Sequence, residues 1–145
     1  MFYPNGVEWV LWWLAASRIG ALVVPFSTLY APGELAKGLR LGDIHLLIAP
    51  ERAVTVDVAA FLEEALPGLA AHTGTEVAVP AAPYLRRIWI TGGTDRSWAR
   101  PVDIDEPAND VVQQEILAGV GARVCRAVPA VRIHPSASPA DQPRG

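Results

Sequence analysis

The chain has 145 residues, 51% of them hydrophobic and 19% charged, the size of one ordinary domain that buries roughly 68–70% of its unfolded surface. Twelve basic against fifteen acidic side chains give a net charge of −3, so there is no electrostatic footprint for nucleic acid or anionic lipid. The single cysteine, Cys125, excludes an internal disulfide and a cysteine cluster for zinc, and a reducing, cytoplasmic setting is expected.

Met1-Phe2-Tyr3-Pro4-Asn5-Gly6 lacks the basic-then-apolar pattern of a signal peptide. The apolar stretch from Val7 to Phe26 has about the length of a membrane span. Glu8, Ser17 and Arg18 interrupt it, and Gly20 and Pro25 divide it. It therefore reads as a buried helix followed by a buried strand, with no membrane span. Asn5 suits the N-cap and Glu8 the reciprocal position of a capping box. Trp9, Trp12, Trp13, Ala16 and Ile19 recur at helical spacing, and Val10, Leu11 and Leu14 widen the stripe, so this helix wants protein on several sides. Gly20 ends it, and Ala21 to Pro25 is a continuous apolar run suited to a parallel strand covered on both faces.

Pro32 suits the first turn of a second helix, with Glu34 near its positive end, although Ala31 offers no capping oxygen. Leu35, Ala36 and Leu39 form its inward face, Gly38 weakens it, and Gly42 is its expected C-cap. His45 to Ala49 is a second strand, and a third helix is expected from Asp57 to Leu66, closed by Pro67-Gly68. Thr75 to Val79 is a short strand candidate. Arg87 to Thr91 is a firmer strand, stopped by Gly92-Gly93. Helix, strand, helix, strand, helix, loop, strand is the order of an α/β protein with parallel strands and right-handed crossovers. Beyond Arg100 a helix from Val112 to Val124 and a short strand at 131–133 are the candidates, and the proline-rich tail from Pro135 is expected to be disordered.

Several segments together resemble the adenylate-forming enzymes, that is acyl-CoA synthetases, aryl ligases and their luciferase and peptide-synthetase relatives. Asn5-Gly6-Val7-Glu8-Trp9, followed by Ala15-Ala16-Ser17-Arg18-Ile19-Gly20-Ala21-Leu22-Val23-Val24-Pro25, is similar to that family's "PNGPEW…ARIGAVVVP". Tyr30 to Leu35 is similar to its "TPxEL" helix start, Gly42 to Ile48 to the strand after it, and Tyr84 to Trp98 to a stretch of the CoA-ligase branch. The resemblance implies an incomplete, Rossmann-like, mostly parallel sheet flanked by helices, part of the large N-terminal domain of such an enzyme. It divides the chain into a partial α/β subdomain at 1–100, a linker at 101–134, and a tail at 135–145.

That tail resembles a degenerate form of the family's phosphate loop, "YTSGSTGxPKG". Ser136 and Ser138 fall on its serines, Arg144 on its lysine and Gly145 on its final glycine, which makes these four the candidate cofactor-binding residues. Ala137 stands on a glycine, and Pro135 and Pro139 stand on threonines. A loop wrapping phosphates needs inward N–H groups and positive φ, and each proline removes a donor. The family resemblance implies ATP, Mg²⁺ and CoA for a complete member, and a carboxylic acid, fatty or aryl, as substrate. It also implies an adenine-gripping segment, a Mg²⁺-holding glutamate, a ribose-binding aspartate and a C-terminal lysine, none with a counterpart in this chain. The expectation is therefore a fragment inactive alone that binds no cofactor, its partners being the missing enzyme segments or further copies meeting through exposed apolar surface. A free-standing α/β interaction protein and a remnant without function are the alternatives.

Among single residues, Trp9, Trp12 and Trp13 read as packing rather than a base-stacking platform. His45, His72 and His134 have no partners at metal-ligand spacing. Cys125 lies near Arg123 and Arg126 but has no histidine to activate it. Glu63-Glu64 and Asp103-Asp105-Glu106 read as solvated faces rather than a catalytic pair. Gly92-Gly93 begins like a dinucleotide loop but lacks the third glycine and the following helix.

Overall fold

The computed structural model describes residues 1–103. The helix expected at 112–124, the strand at 131–133 and the tail from Pro135 lie outside the described residues, as do Cys125 and His134. Within them the chain is a mixed α/β fold with a parallel sheet and flanking helices. Helices α1 (Val7–Arg18), α2 (Pro32–Leu41) and α3 (Val58–Ala65) accompany strands β1 (Leu46–Pro50), β2 (Arg52–Ala53), β3 (Val56–Asp57), β4 (Arg87–Thr91) and β5 (Arg100–Val102). β1, β4 and β5 form one sheet in that order, both pairs parallel. β2 and β3 make a short antiparallel ribbon.

The best-defined packing lies where the sequence periodicity is cleanest. α2 starts at Pro32, and Glu34 returns to accept a hydrogen bond from the Ala31 N–H at 2.8 Å, the one half of a capping box that an alanine permits. α3 is capped by Asp57, whose side chain accepts from the Ala60 N–H at 3.1 Å. Leu35 and Leu39 of α2, Val58 and Leu62 of α3, Leu47 of β1, and Ile88 and Ile90 of β4 are buried in a single core. Gly38 sits in α2 because Phe26 presses on it: a Cβ there would lie 2.9 Å from the Phe26 ring.

Four expectations are overturned. Residues 21–25 are not a strand. Beside β1, the Phe2 N–H donates to the Ile48 carbonyl at 3.0 Å, and the next segment out makes only a parallel bridge between Phe2 and Phe26. Its neighbour in the sheet is Met1 to Tyr3, and Pro4, which follows, has no N–H to continue a ladder. The apolar run is thus left along the edge, with Leu22 92% exposed. Nor is α1 buried: none of its residues is. Asn5 does not cap it. The N-cap is Gly6, with no side-chain hydrogen bond. Thr75 to Val79 also forms no strand; it contributes a bridge from Val79 to Ala82 and a hydrogen bond from the Val77 N–H to the Arg86 carbonyl at 2.7 Å. The β2–β3 ribbon and β5 were not expected. No helix among the described residues is long and apolar enough to cross a membrane.

Candidate functional site

Across the sheet the segments lie in the order Phe26, Phe2, β1, β4, β5. From Phe2 the chain first travels outward to Phe26, then returns to the other side of Phe2 to lay down β1, β4 and β5. Connections therefore leave in opposite directions at the boundary between Phe2 and β1. In open α/β sheets that reversal leaves a crevice at the carboxyl ends of the strands, the usual place for a ligand. A cleft of about 610 Å³ lies there. The Pro4-Asn5-Gly6 turn and the first turn of α1 form one wall, Glu51 and Arg52 beyond β1 another, and Thr91, Gly92 and Asp103 complete it.

Tyr3 ties these pieces together. Its hydroxyl donates to Glu8 Oε2 at 2.5 Å, so Glu8 turns to Tyr3 rather than to a capping box. The same oxygen is hydrogen-bonded to Thr91 Oγ1 at the end of β4. The one phenolic proton goes to the carboxylate, which makes the Thr91 hydroxyl the donor in the second bond. Burial, and then the hydrogen bond to Glu8, push the Tyr3 phenol up to about 12. It is neutral and a fixed donor at physiological pH. Gly92 has φ +88, and a Cβ there would stand 3.3 Å from Glu51 Oε2. Glycine meets both demands, the left-handed backbone and the close approach.

The cleft is more acidic than basic. Glu8, Glu51 and Asp103 line it beside a single guanidinium, Arg52, which bonds the Thr55 carbonyl at 3.1 Å. Among the described residues no group of three or more His, Cys, Asp or Glu could hold a metal ion. Three carboxylates against one guanidinium do not by themselves fit the negative charge of a triphosphate. The residues predicted to grip phosphate, Ser136, Ser138, Arg144 and Gly145, lie outside the described residues, so the structure neither gathers nor separates them.

The other singled-out side chains have structural employment. His72 Nε2 lies 2.6 Å from the Glu76 carbonyl, and His45 packs beside Tyr84 with ring centroids 6.2 Å apart. Glu63 is not merely a solvated face. Its Oε1 accepts from the buried Trp98 indole at 3.2 Å and from Arg96 Nε at 2.8 Å. Trp9 and Trp13 stack along α1 at 6.3 Å. Sequence reading did not foresee Tyr3 and Thr91 as cleft residues. A tyrosine just before a Pro-Asn-Gly turn and a threonine ending a strand are the available signals, and both are common.

Comparison with known families gives one match. The family model for AMP-binding enzymes matches residues 1–118, well over half of the chain. No curated protein and no solved structure matches it significantly. The chain belongs to the AMP-binding enzyme family.

Proposed function

From its membership of the AMP-binding enzyme family, we propose that this chain is a Rossmann-like part of the large N-terminal domain of an acyl- or aryl-adenylate-forming ligase, inactive alone. In the complete enzyme a carboxylate oxygen attacks the α-phosphorus of ATP, the bond to the β-phosphate oxygen breaks, and pyrophosphate leaves. The thiolate sulfur of CoA then attacks the acyl carbon and AMP departs with the bonding electrons. Such chemistry depends on cationic and N–H groups around the transferring phosphoryl centre and on Mg²⁺ screening of pyrophosphate.

The observation that carries this reading is the match of residues 1–118 to the AMP-binding enzyme family, and a cleft where the strand order reverses, beside the Pro4-Asn5-Gly6 turn, accords with it. No chemical step is assigned to the described residues, whose carboxylates disfavour a polyphosphate. Phosphate contact is assigned instead to Ser136, Ser138, Arg144 and Gly145, with Pro135 and Pro139 thinning the donor array. Even millimolar affinity corresponds to only about 4 kcal/mol, before the costs of association are met.

The test has two arms. The full chain alone, given ATP, Mg²⁺, CoA and a panel of fatty and aromatic acids, should release no carboxylate-dependent pyrophosphate. Turnover there would overturn the claim of inactivity. Residues 1–118 grafted over the matching segment of an active family ligase should retain pyrophosphate release, and a folded but inactive chimera would sink the functional assignment. A second reading, a free-standing protein that docks or self-associates through its apolar surface, draws on the exposure of α1. It requires that face to stay open in the full chain.

A further inference from the structure

α1 is the least explained part of the molecule. It is a twelve-residue helix without a buried residue, and Val10, Leu11, Trp13 and Leu14 are each between 43% and 47% exposed. Apolar area of this kind, contiguous along one helix, marks a surface that another element covers. Helices of this length draw most of their stability from packing an apolar face rather than from propensity.

We propose that the chain's own segment from Val111 to Val124 covers this face of α1. Three observations lead there. First, the described residues end near the start of α1: Asp103 lines the same cleft as Val7, Glu8 and Trp9 of its first turn. Extended chain covers roughly 3.3–3.6 Å per residue, so the stretch from Asp103 to Val111 reaches about 25 Å. α1 is only about 18 Å long at 1.5 Å per residue, so every point on it is within reach. Second, the family match does not stop where the described residues stop; it runs on to residue 118. The family's domain thus continues into this segment. Third, Val112, Ile116, Val120 and Val124 recur at every fourth position with Leu117 beside them, the spacing of a single apolar stripe. Gly119 and Gly121 lower the intrinsic helix propensity of that stripe, so it gains most from a surface to pack on. Forty-two residues lie beyond Asp103, and this is their most apolar periodic stretch. The proposal does not depend on adenylate chemistry.

The experiment uses the full chain. The photo-crosslinking amino acid benzoylphenylalanine replaces Leu14, and chains labelled with ¹⁴N and ¹⁵N are mixed before irradiation. Crosslinked peptides should join position 14 to residues 111–124 within one isotopic species. Links between the two species would overturn the proposal in favour of a second copy, and links only to other regions, or none, would overturn it outright. Independently, Ile116→Asp with Leu117→Asp should shift emission of the α1 tryptophans to the red and raise their quenching by acrylamide, with the sedimenting mass still monomeric. Unchanged emission and quenching in a folded variant would also overturn it. Should that variant fail to fold, the crosslink is read on the unaltered segment and still decides the matter. Neither readout involves turnover, so failure here is distinct from failure of the proposed function.

Discussion

The sheet with α2 and α3, and the stretch from α1 to Tyr30, are both rich in apolar residues, yet they meet opposite fates. Leu35, Leu47, Leu62 and Ile88 have no exposed surface, whereas Leu22 and Leu29 are each 92% exposed and no residue of α1 is buried. The difference is not hydrophobicity but neighbours. α2 and α3 pack against each other and the β1–β4 pair. The segment after α1 has only Met1 to Tyr3 beside it in the sheet, and it reaches the core through Phe26, with Val24 partly buried. Apolar spacing states what an element would bury, and the covering elements decide whether it does.

The comparison breaks most directly through stability. Ile88→Ala, in β4, the middle strand of the three-stranded sheet, should cost about 2–5 kcal/mol as a core truncation. Leu29→Ala, of similar volume change at the open edge, should stay within about 0.5 kcal/mol. Denaturant midpoints of the two variants at equal m-value check this, and equal losses would erase the distinction between the regions. Glu63→Ala should come next, because the buried indole N–H of Trp98 loses its acceptor at a cost of about 1–3 kcal/mol. Its exposed neighbour Glu64 serves as the control, with Glu64→Ala within about 0.5 kcal/mol. Chemical denaturation of the pair shows whether the two adjacent carboxylates differ as their surroundings say.

The same contrast explains what could be read ahead of the structure. β4 matches its expected span, Arg87 to Thr91, and β1 is displaced by one residue. α3 has Asp57 as its cap, and α2 begins at Pro32. These are short elements whose start, stop and inward residues are local signals. What went astray depended on distant chain. The strand at 21–25 needed a longer neighbour, α1 needed cover, and Glu8 was drawn from its cap by Tyr3. The β2–β3 ribbon and β5 are too short to carry a periodic signal. The family was legible because its segments occur in order, and the match over residues 1–118 agrees with that. The cleft was not legible: Tyr3, Thr91 and Asp103 come together through sheet topology, which no local pattern records. The phosphate-loop residues remain beyond the described part of the chain.

Gly38→Ala sharpens the boundary between the two regions, since it sits where α2 meets Phe26. Alanine would raise helix propensity by roughly 1 kcal/mol. Its Cβ, however, would approach the Phe26 ring to 2.9 Å, and overpacking of this kind costs about 1–3 kcal/mol. A net loss of about 1 kcal/mol is expected, read from the thermal midpoint. Stabilisation instead would mean that Phe26 and the edge segment yield freely, and that the open region reaches further into the molecule than the burial of Phe26 suggests.

The smallest effect concerns the Tyr3 network, which ties Glu8 of α1 to Thr91 at the end of β4. Tyr3 is held neutral up to about 12 by burial and by Glu8, against an ordinary value of 10.0. Below about pH 10 both the folded and unfolded chains carry the phenolic proton, so the contribution to stability is complete. Between 10 and 12 the unfolded chain gives up that proton first and binds fewer protons than the folded one. Stability therefore falls as pH rises through this window. Tyr3→Phe should remove that slope, and with it the latest phase of the phenolate absorbance titration near 295 nm. At neutral pH the variant also releases Glu8 and deprives Thr91 of its acceptor. Exchange of the first-turn amides of α1 should then quicken while those of β4 are unaffected. If the late phase persists in Tyr3→Phe, another tyrosine is the buried one. If instead β4 amides quicken along with α1, the network serves the core rather than the helix, and the two regions are less separate than their burial implies.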